Sequence, residues 1–156
     1  MDTKELYREI LNEHNLNPSH KKEMTDPTLS LNGVNPSCGD NITLNLKVGA
    51  DNRITDGSFT GSGCAVSQAS VDMMLDLVIG KDKDEALKLA GIFMAMIRGT
   101  AKPEDIEQLD EAAALQDIAR MPARVKCAVL GWRTMTEMFD KNKSSGTGSV
   151  LHCGTN

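Results

Sequence analysis

Three cysteines and one aspartate stand in three short motifs spread along the chain: Asn35-Pro36-Ser37-Cys38-Gly39-Asp40, Gly61-Ser62-Gly63-Cys64 and Pro122-Ala123-Arg124-Val125-Lys126-Cys127. For these side chains to share one ion, the fold must gather three distant segments at one end of the molecule. That demand constrains the chain more than any local propensity does. A thiolate is both a metal ligand and a sulfur nucleophile. A site drawn from three of the four cysteines therefore points to metal or sulfur chemistry.

Each motif alone has a plainer reading. Cys38 and Asp40 are two apart, and in extended backbone residues i and i+2 face the same way. Gly39 permits a tight or left-handed bend between them. A buried cysteine beside a turn aspartate would look the same. Cys64 follows Gly61-Ser62-Gly63 and opens a helix, whose N-terminal partial charge favours the thiolate. It could equally be a small apolar residue at a strand-to-helix corner. A phosphate loop fits poorly, because its lysine and hydroxyl pair is missing. Cys127 falls in the first turn of the last helix, and Arg124 and Lys126 beside it favour an ionised thiol. The plain alternative is a core cysteine with solvated cations.

Together the three motifs favour a shared site. Three thiolates and a carboxylate suit tetrahedral Zn²⁺, and less comfortably an iron–sulfur cluster. With Zn²⁺ the formal charge is roughly −2, which Arg124 and Lys126 would offset. The oxygen ligand makes one position easier to exchange than in a four-thiolate set.

The order of elements predicts an α+β domain. Leu6, Ile10 and Leu11 share a face of a first helix that stops before Pro18. Residues 17–27 read as an irregular crossing. Three strands follow: Thr28 to Val34, Asn41 to Val48 and Arg53 to Thr60. Ile42, Leu44, Leu46 and Val48 alternate with polar residues, as in a sheet with one buried face. Gly49-Ala50-Asp51-Asn52 is a hairpin turn. A helix after Gly63 carries Val66, Ala69, Met73 and Leu77 and ends at Gly80. Asp82 and Glu85 cap the next helix, which buries Ala86, Ala90, Phe93 and Ile97 and closes at Gly99. Pro103 opens a further helix with Leu109, Ala112, Leu115, Ile118 and Ala119 inward. The last helix follows Pro122 and turns Val125, Val129, Trp132, Met135 and Phe139 to the core. The expected architecture is a small antiparallel three-stranded sheet packed against a layer of helices, with the metal site at one end. Residues 1–140 form a single domain, and residues 141–156 a flexible tail in which His152 and Cys153 have no ordered role.

Composition narrows the partners. Net charge is −5 and aromatics are 3%, which argues against nucleic acid and anionic membrane. No apolar run reaches transmembrane length, and the start of the chain lacks a signal-peptide core. The expected location is cytoplasmic, where cysteines serve metals or catalysis rather than disulfides. His14 and His20 read as surface residues. No histidine lies in a motif near the thiols, so a cysteine hydrolase is a poor fit.

With these residues placed, the chain resembles a SufU-type member of the U-type iron–sulfur cluster assembly family, which includes IscU-like and NifU N-terminal-like proteins. The likeness runs from Tyr7, Ile10, His14 and Pro18 through the three motifs to about Asp140. IscU-type members carry a histidine immediately before the third cysteine, where this chain has Lys126. They also have a shorter span between the second and third cysteines, whereas this chain has extra length around Gly99 to Met121. Both features resemble the SufU branch.

The resemblance implies that Cys38, Asp40, Cys64 and Cys127 bind zinc. It implies that Cys38 takes persulfide sulfur from a SufS-type cysteine desulfurase, whose own histidine would replace it on the metal. It implies a supporting role for Arg124 and delivery to downstream iron–sulfur assembly proteins. The expected function is a zinc-dependent sulfurtransferase. The alternative is a scaffold on which a transient iron–sulfur cluster is assembled. A module with a purely structural zinc is a third reading.

Overall fold

The computed structural model describes the backbone of residues 3–141 and 150–152 and the side chains of residues 5–140. The expected meander is present as β1 (Leu29–Asn35), β2 (Asp40–Val48) and β3 (Ile54–Ser62), paired antiparallel. Alternation decides which face is buried. Ile42, Leu44 and Leu46 are buried, while Asn41 is exposed. Leu31 lies opposite Leu44 and Leu29 opposite Leu46, and Leu44 faces Phe59 across the other seam. These cross-strand pairs form a continuous apolar row, the unit that stabilises a sheet. At the β2–β3 turn, the Gly49 N–H donates to the Arg53 carbonyl at 2.8 Å and the Asn52 N–H to the Gly49 carbonyl at 3.0 Å.

A fourth strand, β4 (Val150–His152), runs parallel to β1 and gives the order β3-β2-β1-β4. No strand was expected there. The free edge of β1 offers unpaired backbone groups, and a short extended segment can satisfy them whatever its composition. The rest of the expected tail, Cys153 included, lies outside the described residues.

Among the described residues there are six helical segments: α1 (Thr3–Leu16), α2 (Ala65–Val78), α3 (Lys83–Arg98), α4 (Pro103–Ile106), a 3₁₀ helix (Glu107–Arg120) and α5 (Pro122–Lys141). The Asp82 carboxylate accepts the Glu85 N–H at 2.8 Å and fixes the start of α3, as a capping aspartate should. Helix α5 packs on β1, β2 and α2. Trp132 of α5 is fully buried. It stacks on Phe93 with ring centroids 4.2 Å apart, and its indole N–H donates to Ser70 Oγ at 3.0 Å. The bond meets the polar requirement of a buried indole. On α1 the inward face is Tyr7, Ile10, Leu11 and His14. Leu6, expected inside, is 47% exposed. No helix among the described residues is long and apolar enough to cross a membrane.

The helix expected from Pro103 is not one α-helix. Four residues of α4 pass into a 3₁₀ helix interrupted at Asp110, with φ 54° and ψ −129°. Leu109, Ala112, Leu115 and Ile118 are buried, whereas Ala119 is exposed. The buried four recur at strict intervals of three, and three residues per turn is the 3₁₀ period. Asp110 is exposed in a conformation that glycine tolerates far better. Such strain costs of order 1–3 kcal/mol, while glycine costs roughly 0.5–1 kcal/mol in chain entropy. Asp110→Gly is therefore expected to stabilise the protein by about 1 kcal/mol, read as a higher melting temperature in calorimetry. A lower one would show that the kink carries no strain.

Candidate metal centre

The first motif is a closed hairpin. Asn35 ends β1, Asp40 begins β2, and the two are partners across the ladder. Residues 36–39 form the turn. The Cys38 N–H donates to the Asn35 carbonyl at 3.3 Å, and Gly39 takes φ 71°, the left-handed region where glycine carries no Cβ penalty. Cys38 thus hangs from a turn while Asp40 stands on the strand. Hairpin closure, rather than the expected two-residue alternation, brings them together.

Asp40 is fully buried, so its carboxylate must be paired. Its Oδ1 accepts the Cys64 N–H at 2.8 Å and the Ser67 hydroxyl at 3.1 Å. Its Oδ2 accepts from Asn35 Nδ2 at 3.0 Å. The same amide nitrogen lies 3.6 Å from Cys127 Sγ. Cys64 takes the N-cap position of α2 with no side-chain capping bond, as expected of a residue that opens a helix. Gly63 is required by contact. A Cβ there would lie 2.5 Å from Ser67 Oγ and 2.8 Å from Asp40 Oδ1, so a larger residue would push the corner away from the carboxylate.

The third motif enters from α5. Cys127 is fully buried and Cys38 partly so. Their sulfurs are 3.1 Å apart, and Cys38 Sγ lies 3.8 Å from the Ala123 carbonyl. The ligand atoms of Cys38, Asp40 and Cys127 all fall within 4.8 Å of one another. Two zinc–sulfur bonds of about 2.3 Å reach roughly 4.6 Å, so these three residues could hold one ion with little movement. Cys64 falls outside that group of three, although its backbone binds Asp40 and its side chain acts on the Cys127 thiol. The donor types suit a zinc-like ion, and the carboxylate already has the outer hydrogen bonds that orient a ligand.

Burial, more than any neighbour, decides the state of Cys127. It pushes the thiol far above its ordinary range, and bonding to Cys38, Cys64 and Asp40 pushes the same way. The expectation that Arg124 and Lys126 would favour its thiolate is not met without an ion, because desolvation outweighs them. Arg124 is exposed. The charge of Cys64, then a hydrogen bond to Cys127 and the charges of Cys127 and Cys38, raise its pKa. All three thiols therefore act on it electrostatically. Lys126 is simply exposed. Burial raises the Tyr7 pKa, and Arg124, Asp117 and Cys64 also act on it, which places α1 at the edge of the site.

Asn35 and Ser67 were given no role by sequence reasoning. Asn35 was visible as the first letter of its motif, and Ser67 as the residue three places after Cys64. The buried Asn35 Oδ1 has no partner among the described residues. Leaving such an acceptor unpaired costs about 1–3 kcal/mol, accepted here while the other end of the amide serves Asp40 and Cys127. His14, expected at the surface, is 6% exposed; paired carboxylates allow its burial. It belongs to a separate cluster with Asp72 and Glu111.

Known proteins share this chain's sequence pattern and fold. Residues 6–128 match the family described as the NifU-like N terminal domain. The chain is 38% identical over 138 residues to the zinc-dependent sulfurtransferase SufU of Bacillus subtilis, spanning 88% of this chain and 92% of that one. It is 39% identical over 140 residues to the iron–sulfur cluster assembly scaffold protein IscU of Streptococcus pyogenes, spanning 90% and 86%. A crystal structure of a candidate SUF-system scaffold from Fervidobacterium islandicum superposes with a TM-score of 0.79 at 31% identity, covering 88% of this chain and 98% of that one. The chain belongs to the NifU-like N-terminal domain family, among relatives of the SufU and IscU types.

Proposed function

We propose that this protein is a zinc-dependent sulfur acceptor in iron–sulfur cluster assembly, with Cys38, Asp40, Cys64 and Cys127 holding the ion and Cys38 receiving sulfur from a cysteine desulfurase. The observation that carries this reading is the unequal placement of the thiols. Cys127 is sealed in the core, whereas Cys38 hangs from an open turn 3.1 Å away. A partner can reach Cys38 but not Cys127. The SufU relative named for zinc-dependent sulfur transfer supports the same choice.

Zinc, when bound, holds its thiol ligands ionised at neutral pH. The protein supplies the rest. Asn35, Ser67 and the Cys64 N–H fix the Asp40 carboxylate. Arg124, on which the thiols act electrostatically, offsets their negative charge. The Cys38 thiolate attacks the outer sulfur of the partner's cysteine persulfide. A new sulfur–sulfur bond forms on Cys38, the old one breaks, and the partner's cysteine leaves as a thiolate. No oxidant is consumed.

Cys38→Ala is expected to abolish sulfur acceptance. Mass spectrometry after incubation with desulfurase and cysteine would show the added sulfur on wild type and none on the variant. A variant that still stimulated desulfurase turnover at the wild-type rate would overturn the assignment. The scaffold reading has support of its own, because the IscU relatives carry that name and thiolates also hold clusters. Anaerobic reconstitution separates the two: a stable chromophore that passes to an apo-acceptor favours the scaffold.

A further inference from the structure

We propose that His14, Asp76 and Glu111 form a second divalent-cation site, apart from the thiol cluster and suited to a borderline transition ion such as Zn²⁺ or Co²⁺. His14 stands in the last turn of α1 and is 6% exposed. Its Nδ1 lies 2.6 Å from Asp72 Oδ2. Asp72 is fully buried and is pinned by two backbone donors: the Ser19 N–H on Oδ2 at 3.3 Å and the His20 N–H on Oδ1 at 2.9 Å. An anchored carboxylate on Nδ1 fixes the proton there and turns Nε2 outward. This is the outer-shell arrangement that accompanies metal-binding histidines.

Two further carboxylates lie near the ring. Glu111 Oε1 is 2.8 Å from Nε2, and the facing atoms of His14, Asp76 and Glu111 lie within 4.8 Å of one another. Asp76 is one turn beyond Asp72 on α2, so both project from one face. Asp76 has its own orienting partner, His20 Nε2 at 2.7 Å from Oδ1. The side chains of Asp76 and Glu111 are 45% and 57% exposed and can shift to close on an ion. A cleft of about 190 Å³ opens beside Asp76, Asp110 and Glu111. It offers a way in and room for water to complete the shell. One nitrogen and two carboxylates match a borderline divalent ion rather than a soft one.

A proton competes for the same position. Without an ion, Nε2 can share its proton with Glu111, and an ion must displace that proton, so affinity rises with pH. The titratable groups around the His14 ring are Asp72 and Asp76 from α2, Glu111 from the 3₁₀ helix and His20 from the crossing. Lys81 lines the cleft and opposes a cation, but its Nζ is engaged with the Leu77 carbonyl at 2.9 Å.

Anaerobic titration with Co²⁺ distinguishes the two sites by spectrum. Ions held by thiolates show intense near-ultraviolet charge transfer, whereas ions held by nitrogen and oxygen show only weak visible bands. The expected result is a second bound equivalent that adds no thiolate band. It should be lost in Glu111→Gln and in Asp76→Asn, both exposed positions whose variants retain the fold, and it should weaken as pH falls from 8 to 6. Binding of a single equivalent by metal analysis at saturation would overturn the proposal. So would a second equivalent undiminished in both variants.

Discussion

Removing the metal, or replacing Asp40 with alanine, is expected to lower the melting temperature by on the order of 10 °C or more. Structural zinc contributes apparent binding free energies of about 10–16 kcal/mol in small domains, against a total stability of roughly 5–15 kcal/mol for an ordinary domain. This protein has a substantial core of its own, led by Trp132, Phe59 and Phe93, so it should remain folded without the ion. Recovering even about 4 kcal/mol of the binding energy would shift the melt by roughly 8–16 °C at this size, at 2–4 °C per kcal/mol. Asp40→Ala should resemble chelation and add to it. It removes a proposed ligand and strands three donors, the Cys64 N–H, the Ser67 hydroxyl and the Asn35 amide. Calorimetry with and without chelator, paired with metal analysis, reads both effects. A melt unchanged after the metal is stripped would show that these side chains share no ion.

The parts of the fold that the sequence made legible are those set by period and by capping chemistry. The alternation from Ile42 to Val48 marked the buried face of the sheet, and Asp82 with Glu85 marked the start of α3. The candidate site stood out because its residues are confined to short motifs, the first two with glycines beside the cysteine. What stayed hidden depends on partners distant in the chain. The polar pair of His14 and Asp72, separated by 58 positions, lowers the cost of burying both; His14 alone looks like a surface residue. Strand β4 exists because β1 has a free edge, a fact absent from residues 150–152 themselves. The 3₁₀ helix was misread because an apolar stripe at intervals of three also resembles part of an α-helical face. The burial of Cys127 stayed hidden because its neighbours in sequence are charged while its neighbours in space exclude water.

Asp72→Asn is expected to destabilise the protein by about 3–5 kcal/mol, the usual effect of breaking a buried charged pair, and to lower the melt by roughly 6–20 °C. Asparagine can still accept the His20 N–H, but its amide nitrogen then meets the Ser19 N–H and His14 Nδ1, so the substitution removes an acceptor as well as the charge. Burial pulls the His14 pKa down, but hydrogen bonds to Asp72 and Glu111 and the charges of both outweigh it, and the folded value lies above 6.5. A raised folded pKa means that the protonated histidine stabilises the native state. That contribution is complete below about pH 6.5 and is lost as pH rises through the folded value. In protein loaded with one equivalent of zinc, the gap between wild type and Asp72→Asn should therefore be widest near pH 6 and narrow toward pH 9. Glu111→Gln should change the slope less, because the Glu111 side chain is 57% exposed and solvent screens it. A gap constant across that range would mean that His14 keeps one protonation state throughout.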